Sequence, residues 1–287
     1  MRSFKGTGVA VVTPFTTAKE VDYPALKKII NNLIHNKVEY LVMLGTTGES
    51  VALTKEEKKK IIDTARETIA GRVGLVIGIG GNYTDEILKT IKETDFNGID
   101  AILSVSPYYN KPSQKGIYQH YKAISEATSL PVILYNVPSR TMSNIAAETT
   151  LQLANDCKNI IGIKEASGNF EQCMMIIRDK PEGFLVISGD DVITLPLISM
   201  GMDGVISVIA NAYPLEFSNM VRAALKGDIK EAAKLHYQLL AVMQHIYLEG
   251  NPAGIKALLH TKGFSENILR LPLCPVSEGL YGKLKAL

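Results

Sequence analysis

The stretch Asn159-Ile160-Ile161-Gly162-Ile163-Lys164-Glu165-Ala166-Ser167-Gly168 runs an apolar segment into a single ammonium group and then a turn of small residues. Near-continuous isoleucine without polar alternation is the pattern of a parallel strand buried on both faces. Such a strand carries the Lys164 amine, at its carboxyl end, into a place shielded from water. Desolvation favours the uncharged form of an amine, and an uncharged amine attacks carbonyl carbons to form a Schiff base. A strand-end lysine can equally reach solvent or pair with Glu165, so the run must be read with its surroundings.

Seven other runs share its composition: residues 8–15 (GVAVVTPF), 40–47 (YLVMLGTT), 73–81 (VGLVIGIGG), 101–109 (AILSVSPYY), 132–139 (VILYNVPS), 184–191 (FLVISGDD) and 204–211 (GVISVIAN). Amphipathic segments separate them, several with a capping residue at the start. Thr54 precedes residues 55–70, Thr84 precedes 85–94 and Ser113 precedes 114–128. Strands alternating with helices predict an α/β protein, and eight such units predict a (β/α)8 TIM barrel. An open doubly wound sheet is the alternative. Its only candidate glycine turn, GIGGN at residues 78–82, lacks the dinucleotide-binding spacing.

The strand pattern stops after Asn211. Residues 213–225 complete the eighth unit, Gly227-Asp228 breaks the helix, and a long helix is expected over 229–248. Asn251-Pro252 then opens another. The expected organisation is a catalytic barrel over residues 1–226 and a C-terminal helical extension over 227–287, packed on the barrel. No flexible linker separates the two.

Composition narrows the function. Of 287 residues, 21% are charged and the net charge is +2, with no basic run suited to a phosphate backbone, so nucleic acid is not an expected partner. Apolar stretches are short and interrupted, which predicts no membrane span. The first residues, MRSFKGTGVAVVTPF, read as a first strand and not as a cleavable leader. Cys157, Cys173 and Cys274 have no metal-like spacing and are expected to be reduced thiols in a cytoplasmic protein. The five histidines, His35, His120, His236, His245 and His260, are scattered. His236 and His245 fall in an amphipathic helix and are expected at the surface or an interface. No metal site is expected.

In a barrel of this kind the site forms at the carboxyl ends of the strands. There the chain places GTTGES (45–50), SPYYN (106–110), YNVPSR (135–140), Lys164 and SGDD (188–191). The first of these loops suits an anion at a helix start, or is a plain glycine-bounded turn. Tyr135 is a phenol able to move protons, or an aromatic at the core's rim. Arg140 could grip a carboxylate or lie in solvent. Asp190 and Asp191 read as caps of the helix that follows.

GTTGES, SPYYNKPSQKG, YNVPSRT, GIKEASGN, SGDD and GVISVIAN, in that order, resemble the pyruvate-dependent class I aldolases of the N-acetylneuraminate lyase superfamily. Within it the chain is most similar to the 4-hydroxy-tetrahydrodipicolinate synthase family, from about Gly6 to the C-terminal region. The sialic acid lyases generally lack the arginine carried here by Arg140. The resemblance implies condensation of pyruvate with L-aspartate 4-semialdehyde on Lys164, without a metal or organic cofactor. It implies a proton relay of Tyr135, Thr46 and Tyr109, the last supplied by a neighbouring subunit. Thr47 and the Ile206 backbone would hold the pyruvate carboxylate, Gly189 would line that end, and Arg140 would bind the semialdehyde carboxylate. It also implies a homotetramer built as a dimer of dimers. Alternatives are another aldolase, splitting N-acetylneuraminate or a 2-keto-3-deoxy sugar acid, and a non-catalytic small-molecule sensor. Members inhibited by lysine bind it at a dimer interface, and the matching positions are Ser50, Val51, Lys55, Lys58, Asn82, Glu86 and Tyr108. Strongly inhibited bacterial members typically carry histidines where Lys55 and Lys58 stand, so weak or absent lysine inhibition is expected.

Overall fold

The eight apolar runs become eight parallel strands in a computed structural model that describes residues 2–287. They are β1 (Gly6–Ala10), β2 (Tyr40–Met43), β3 (Gly74–Gly78), β4 (Ala101–Val105), β5 (Val132–Asn136), β6 (Ile160–Glu165), β7 (Leu185–Ser188) and β8 (Gly204–Ser207). Each pairs with the next and β8 closes on β1, giving a closed barrel and not an open sheet. The helices are α1 (Tyr23–His35), α2 (Lys55–Ile69), α3 (Thr84–Glu93), α4 (Gln114–Glu126), α5 (Pro138–Thr141), α6 (Ala147–Asp156), α7 (Phe170–Asp179), α8 (Thr194–Ser199), α9 (Pro214–Leu225), α10 (Ile229–His245), α11 (Ala253–Thr261) and α12 (Glu278–Ala286).

Period-two alternation along the strands sorts their side chains into two apolar clusters. Leu41, Met43, Leu75, Ile77, Ile102, Leu134, Ile163 and Val186 face outward and pack with the helices. Tyr40, Val42, Val76, Leu103, Ile133, Tyr135, Ile187 and Ile206 fill the barrel's interior. Each fully buried side chain of this size contributes roughly 1.5–3 kcal/mol. Tyr40 opens β2, and Phe4 meets it edge-on with ring centroids 5.3 Å apart, so the two rings plug the amino-terminal end. Gly8 makes room for that plug, since a Cβ there would stand 2.2 Å from the Tyr40 ring. With one end filled by aromatics, open space is left at the other.

Two of the expected caps hold: Thr54 and Glu57 form a reciprocal capping box on α2, and Ser113 caps α4. Thr84 does not cap α3 but is its first residue, and its hydroxyl lies 2.9 Å from Nδ1 of His120. Burial pushes the His120 imidazole down to about 4, so a neutral ring takes the threonine as its partner. His236 also departs from expectation. It is buried, because positions 232, 236, 239 and 243 share the packed face of α10. His245 is half-buried. Beyond α9, helix α10 lies against α8 and α9, and α12 against α10 and α11. Periodicity had not revealed α12. Among the described residues no helix is long and apolar enough to cross a membrane, and no cluster of His, Cys, Asp and Glu could hold a metal ion.

Candidate active site

β5 and β6 pair with Tyr135 opposite Lys164 and Asn136 opposite Glu165. Alternation sends the first pair into the barrel and the second outward, so Lys164 and Glu165 point to opposite faces and cannot pair with each other. Glu165 is occupied outside. It accepts from Asn136 Nδ2 at 3.0 Å, Gln172 Nε2 at 2.8 Å and the Ser167 N–H at 2.7 Å. These bonds tie the two strands together just behind the inward pair. Inside, the Lys164 ammonium sits 4.3 Å from the Tyr135 ring centroid, and only 5% of the residue is exposed. Gly189, at the end of β7, leaves the space the lysine chain runs through: a Cβ there would stand 3.0 Å from Lys164 Cε and 2.6 Å from Ala166 Cβ.

A cavity of about 390 Å³ opens above this pair, and its wall contains Thr46, Thr47, Tyr135, Arg140, Lys164 and Gly189. Six residues singled out in four separate segments thus meet at one place. Thr46 and Thr47 belong to a 3-10 turn, Thr46–Gly48, that follows β2. Arg140 is exposed on α5 at the mouth, and its Nη2 donates to the Asn251 carbonyl at 3.4 Å. Ile206 is in the inner cluster with Tyr135 but not in the cavity wall. Tyr109 is 88% exposed and does not reach the cavity of its own chain; its φ of +72° is unusual for a side-chain-bearing residue.

The sequence reading missed a whole side of the site. Gln244, near the end of α10, and Tyr247 and Asn251, from the connection between α10 and α11, also line the cavity. Asn251 Nδ2 donates to the Thr47 hydroxyl at 3.0 Å. The Tyr247 hydroxyl donates to Asp191 Oδ2 at 3.3 Å, and burial together with the Asp191 and Asp190 carboxylates raises its phenol well above the usual range. The N-cap expectation for Asp191 fails at this point. Its buried carboxylate accepts from the N–H groups of Val208 and Ile209 at 3.1 and 2.8 Å, bracing the loop after β8, while α8 begins without a side-chain cap. Asp190 closes only a local turn, accepting from the Val192 N–H at 3.0 Å. Polar spacing alone could have flagged Asn251, but nothing local says that the tail folds back over Thr47.

Of the regulatory positions, Asn82 and Tyr108 are joined by an Asn82 Nδ2 bond to the Tyr108 carbonyl at 3.1 Å. Lys55 and Glu86 share an open hollow of about 350 Å³ with Tyr83, Asp85 and Lys89. Ser50, Val51 and Lys58 are not part of that hollow, and Val51 is 87% exposed.

A buried amine at the end of a barrel strand, with a phenol ring against it and threonines in the wall of the same cavity, is the arrangement of the Schiff-base-forming (β/α)8 barrels. Residues 3–287 match the Dihydrodipicolinate synthetase family, and the chain belongs to that family. It is 54% identical over 284 residues to the 4-hydroxy-tetrahydrodipicolinate synthase of Flavobacterium psychrophilum, covering 99% of this chain and 97% of the relative. The crystal structure of dihydrodipicolinate synthase from Aquifex aeolicus superposes with a TM-score of 0.95 at 40% identity, over 99% of this chain and 96% of that one. A monomeric dihydrodipicolinate synthase variant superposes at 0.96 with 39% identity, over 99% and 95% of the two chains.

Proposed function

We propose that this chain condenses pyruvate with L-aspartate 4-semialdehyde to give 4-hydroxy-tetrahydrodipicolinate, in lysine and diaminopimelate biosynthesis. The observation that carries the reading is the Lys164–Tyr135 pair inside a cavity with hydroxyls on one wall and a guanidinium at its mouth. Lys164 Nζ attacks the ketone carbon of pyruvate. The carbinolamine loses water to leave an imine, with protons moved by Tyr135. Loss of a methyl proton makes the enamine, whose terminal carbon attacks the semialdehyde's aldehyde carbon while the new alkoxide is protonated. The substrate's own amine then adds to the imine carbon and expels Lys164, closing the ring. Every step is a nucleophilic addition, an elimination or a proton transfer, so the side chains suffice and no cofactor is needed.

Thr47, with the Ile206 backbone and Gly189, would receive the pyruvate carboxylate, and Arg140 the carboxylate of the semialdehyde. An acceptor with a carboxylate suits Arg140 better than the polyol chain of N-acetylneuraminate or a 2-keto-3-deoxy sugar acid, which favours condensation over those lyase reactions. A sensor role would leave the buried amine unused. Barrel 1–226 and extension 227–287 act as one catalytic unit, placed in the cytoplasm. Turnover of pyruvate with aspartate semialdehyde, set against cleavage of N-acetylneuraminate, tests the reading; preference for the second substrate would overturn it.

Thr46 and Tyr109 complete the relay in this proposal, with Tyr109 reaching a neighbour's cavity in a dimer, two of which form the tetramer. Its exposure fits that role. The monomeric relative makes the test worth doing directly. Hybrid dimers of Tyr109→Phe and Lys164→Ala subunits contain one site with both wild-type residues and one with neither. They should recover about half the activity per dimer where each parent has lost most of its own. No recovery in verified hybrids would place Tyr109 outside the relay.

Lysine inhibition is expected to be weak. Lys55 borders the hollow that holds Glu86, and Lys58 follows on the same helix. Free lysine brings two ammonium groups. Like charges about 6 Å apart repel by roughly 3 kcal/mol at an effective dielectric of about 20, before relaxation and screening. If a third survives, each lysine weakens binding about fivefold. Half-inhibition below roughly 1 mM lysine, an affinity of about −4 kcal/mol, would contradict this.

A further inference from the structure

Glu49 stands in an uncommon position. It ends the Thr46–Gly48 turn in the left-handed region, at φ 51° and ψ 36°, where glycine or asparagine is the ordinary choice. Its N–H closes the turn on the Thr46 carbonyl at 3.1 Å, and its own carbonyl accepts from Ala52 N–H at 2.9 Å. A side chain held in such a backbone state must be fixed by what it touches. The Glu49 carboxylate is buried, and it accepts from Lys256 Nζ through Oε1 and from the Arg270 N–H, at 3.2 Å, through Oε2.

Lys256 is fully buried on α11 and lines no part of the cavity. Its ammonium also donates to the Ile268 carbonyl at 2.8 Å and lies 4.1 Å over the Phe15 ring. Burial lowers its pKa to about 8, against the pull of Glu49. A buried ion pair of this kind contributes little net stability, because desolvation offsets the attraction, and well-packed apolar residues would serve as well. What an apolar pair would not supply is a directed contact fixing the angle of the Thr46–Gly48 turn. Five residues before Lys256, Asn251 grips the Thr47 hydroxyl and accepts from Arg140. The C-terminal extension thus holds the turn at its middle residue, Thr47, and at its closing residue, Glu49.

We propose that Glu49 and Lys256 are positioning residues for the pyruvate end of the site: their buried pair sets the Thr46–Thr47 turn from outside the cavity, so the C-terminal extension is part of the catalytic apparatus. This rests on the reading that the turn receives the pyruvate carboxylate. Besides the N–H that Arg270 gives to Glu49, its guanidinium clamps Glu57 with bonds of 2.6 and 2.7 Å and donates to the Ala52 carbonyl at 2.9 Å, so the Glu57 clamp secures the stretch that follows the turn.

The test uses the full-length protein with Glu49→Gln, Lys256→Met, the double variant and Glu57→Gln. Each single change at the pair should raise KM for pyruvate about tenfold or more, while KM for the semialdehyde moves less than about twofold. The double variant leaves no uncompensated buried charge, so its Tm should recover toward wild type while the pyruvate KM stays high. Glu57→Gln should lower Tm and leave the pyruvate KM alone. If KM recovers together with Tm in the double variant, or never rises, the pair is only structural and the proposal fails. Should the single variants not fold, Glu49→Asp decides, as it keeps the charge and withdraws it by one methylene: a selective rise in pyruvate KM supports positioning, and an unchanged KM overturns it. Borohydride trapping of pyruvate on the wild-type enzyme separates the two levels. No wild-type adduct removes the Schiff-base reading itself, whereas a normal adduct with unaffected variants removes only the positioning role.

Discussion

Lys164→Ala should lose at least about 10³-fold in kcat, roughly 4 kcal/mol of transition-state stabilisation, while the barrel stays folded. The loss is large because no other amine replaces it: the residue is buried at the cavity floor, with its chain threaded past Gly189. The fold should survive. The substitution deletes a buried ammonium that has no carboxylate partner, since Glu165 bonds only outward to Asn136, Gln172 and Ser167. The space it leaves joins an existing cavity, and the Glu165 network still ties β5 to β6. Borohydride in the presence of pyruvate should label the wild-type protein at Lys164, by peptide mapping, and leave the variant unlabelled. A label on another lysine would move the nucleophile elsewhere. A variant that retains activity within tenfold would remove covalent catalysis from the mechanism.

The barrel was legible because its strands lie in short, largely apolar runs buried on both faces and separated by amphipathic segments, a rhythm that needs no knowledge of distant parts of the chain. The Lys164–Tyr135 encounter was legible for the same reason: both stand at strand ends in consecutive units, and parallel register brings them level. What local pattern could not supply was the destination of long-range polar groups. Asp191 sits where a helix cap is expected, yet it serves backbone N–H groups 17 and 18 residues on, whose burial makes an unpaired donor costly. The Thr84 hydroxyl turns to His120 for a similar reason. Tyr247 and Asn251 entered the site through the docking of α10 and α11, a tertiary event with no signature in a window of ten or twenty residues. α12 carries few apolar residues, of which Leu280 and Leu284 are buried, too sparse a stripe to announce a helix.

Tyr135→Phe isolates the proton-transfer part of the reaction. The substitution removes one oxygen and keeps the ring, so the aromatic face near the Lys164 ammonium and the packing with Ile133 and Ile187 remain. Tm should therefore change by no more than a few degrees, in line with a surface-sized perturbation. Catalysis should not be spared. Carbinolamine formation and dehydration each move a proton between nitrogen and oxygen, and a positioned phenol beside the amine is worth about 10²–10⁴-fold in such steps. The expected result is a fall in kcat of about 10²–10³-fold with KM for pyruvate within a few-fold, because the proposed mechanism holds the carboxylate at Thr47, on a different segment of the cavity wall from Tyr135. Rapid-quench borohydride trapping then locates the defect. The pyruvate adduct should still form on Lys164 but accumulate far more slowly, which distinguishes a missing proton carrier from a misplaced amine. If trapping proceeds at the wild-type rate while turnover is slow, Tyr135 acts after the imine, at the carbon–carbon step. If neither changes by more than about threefold, the phenol is a rim aromatic whose oxygen takes no part in the chemistry.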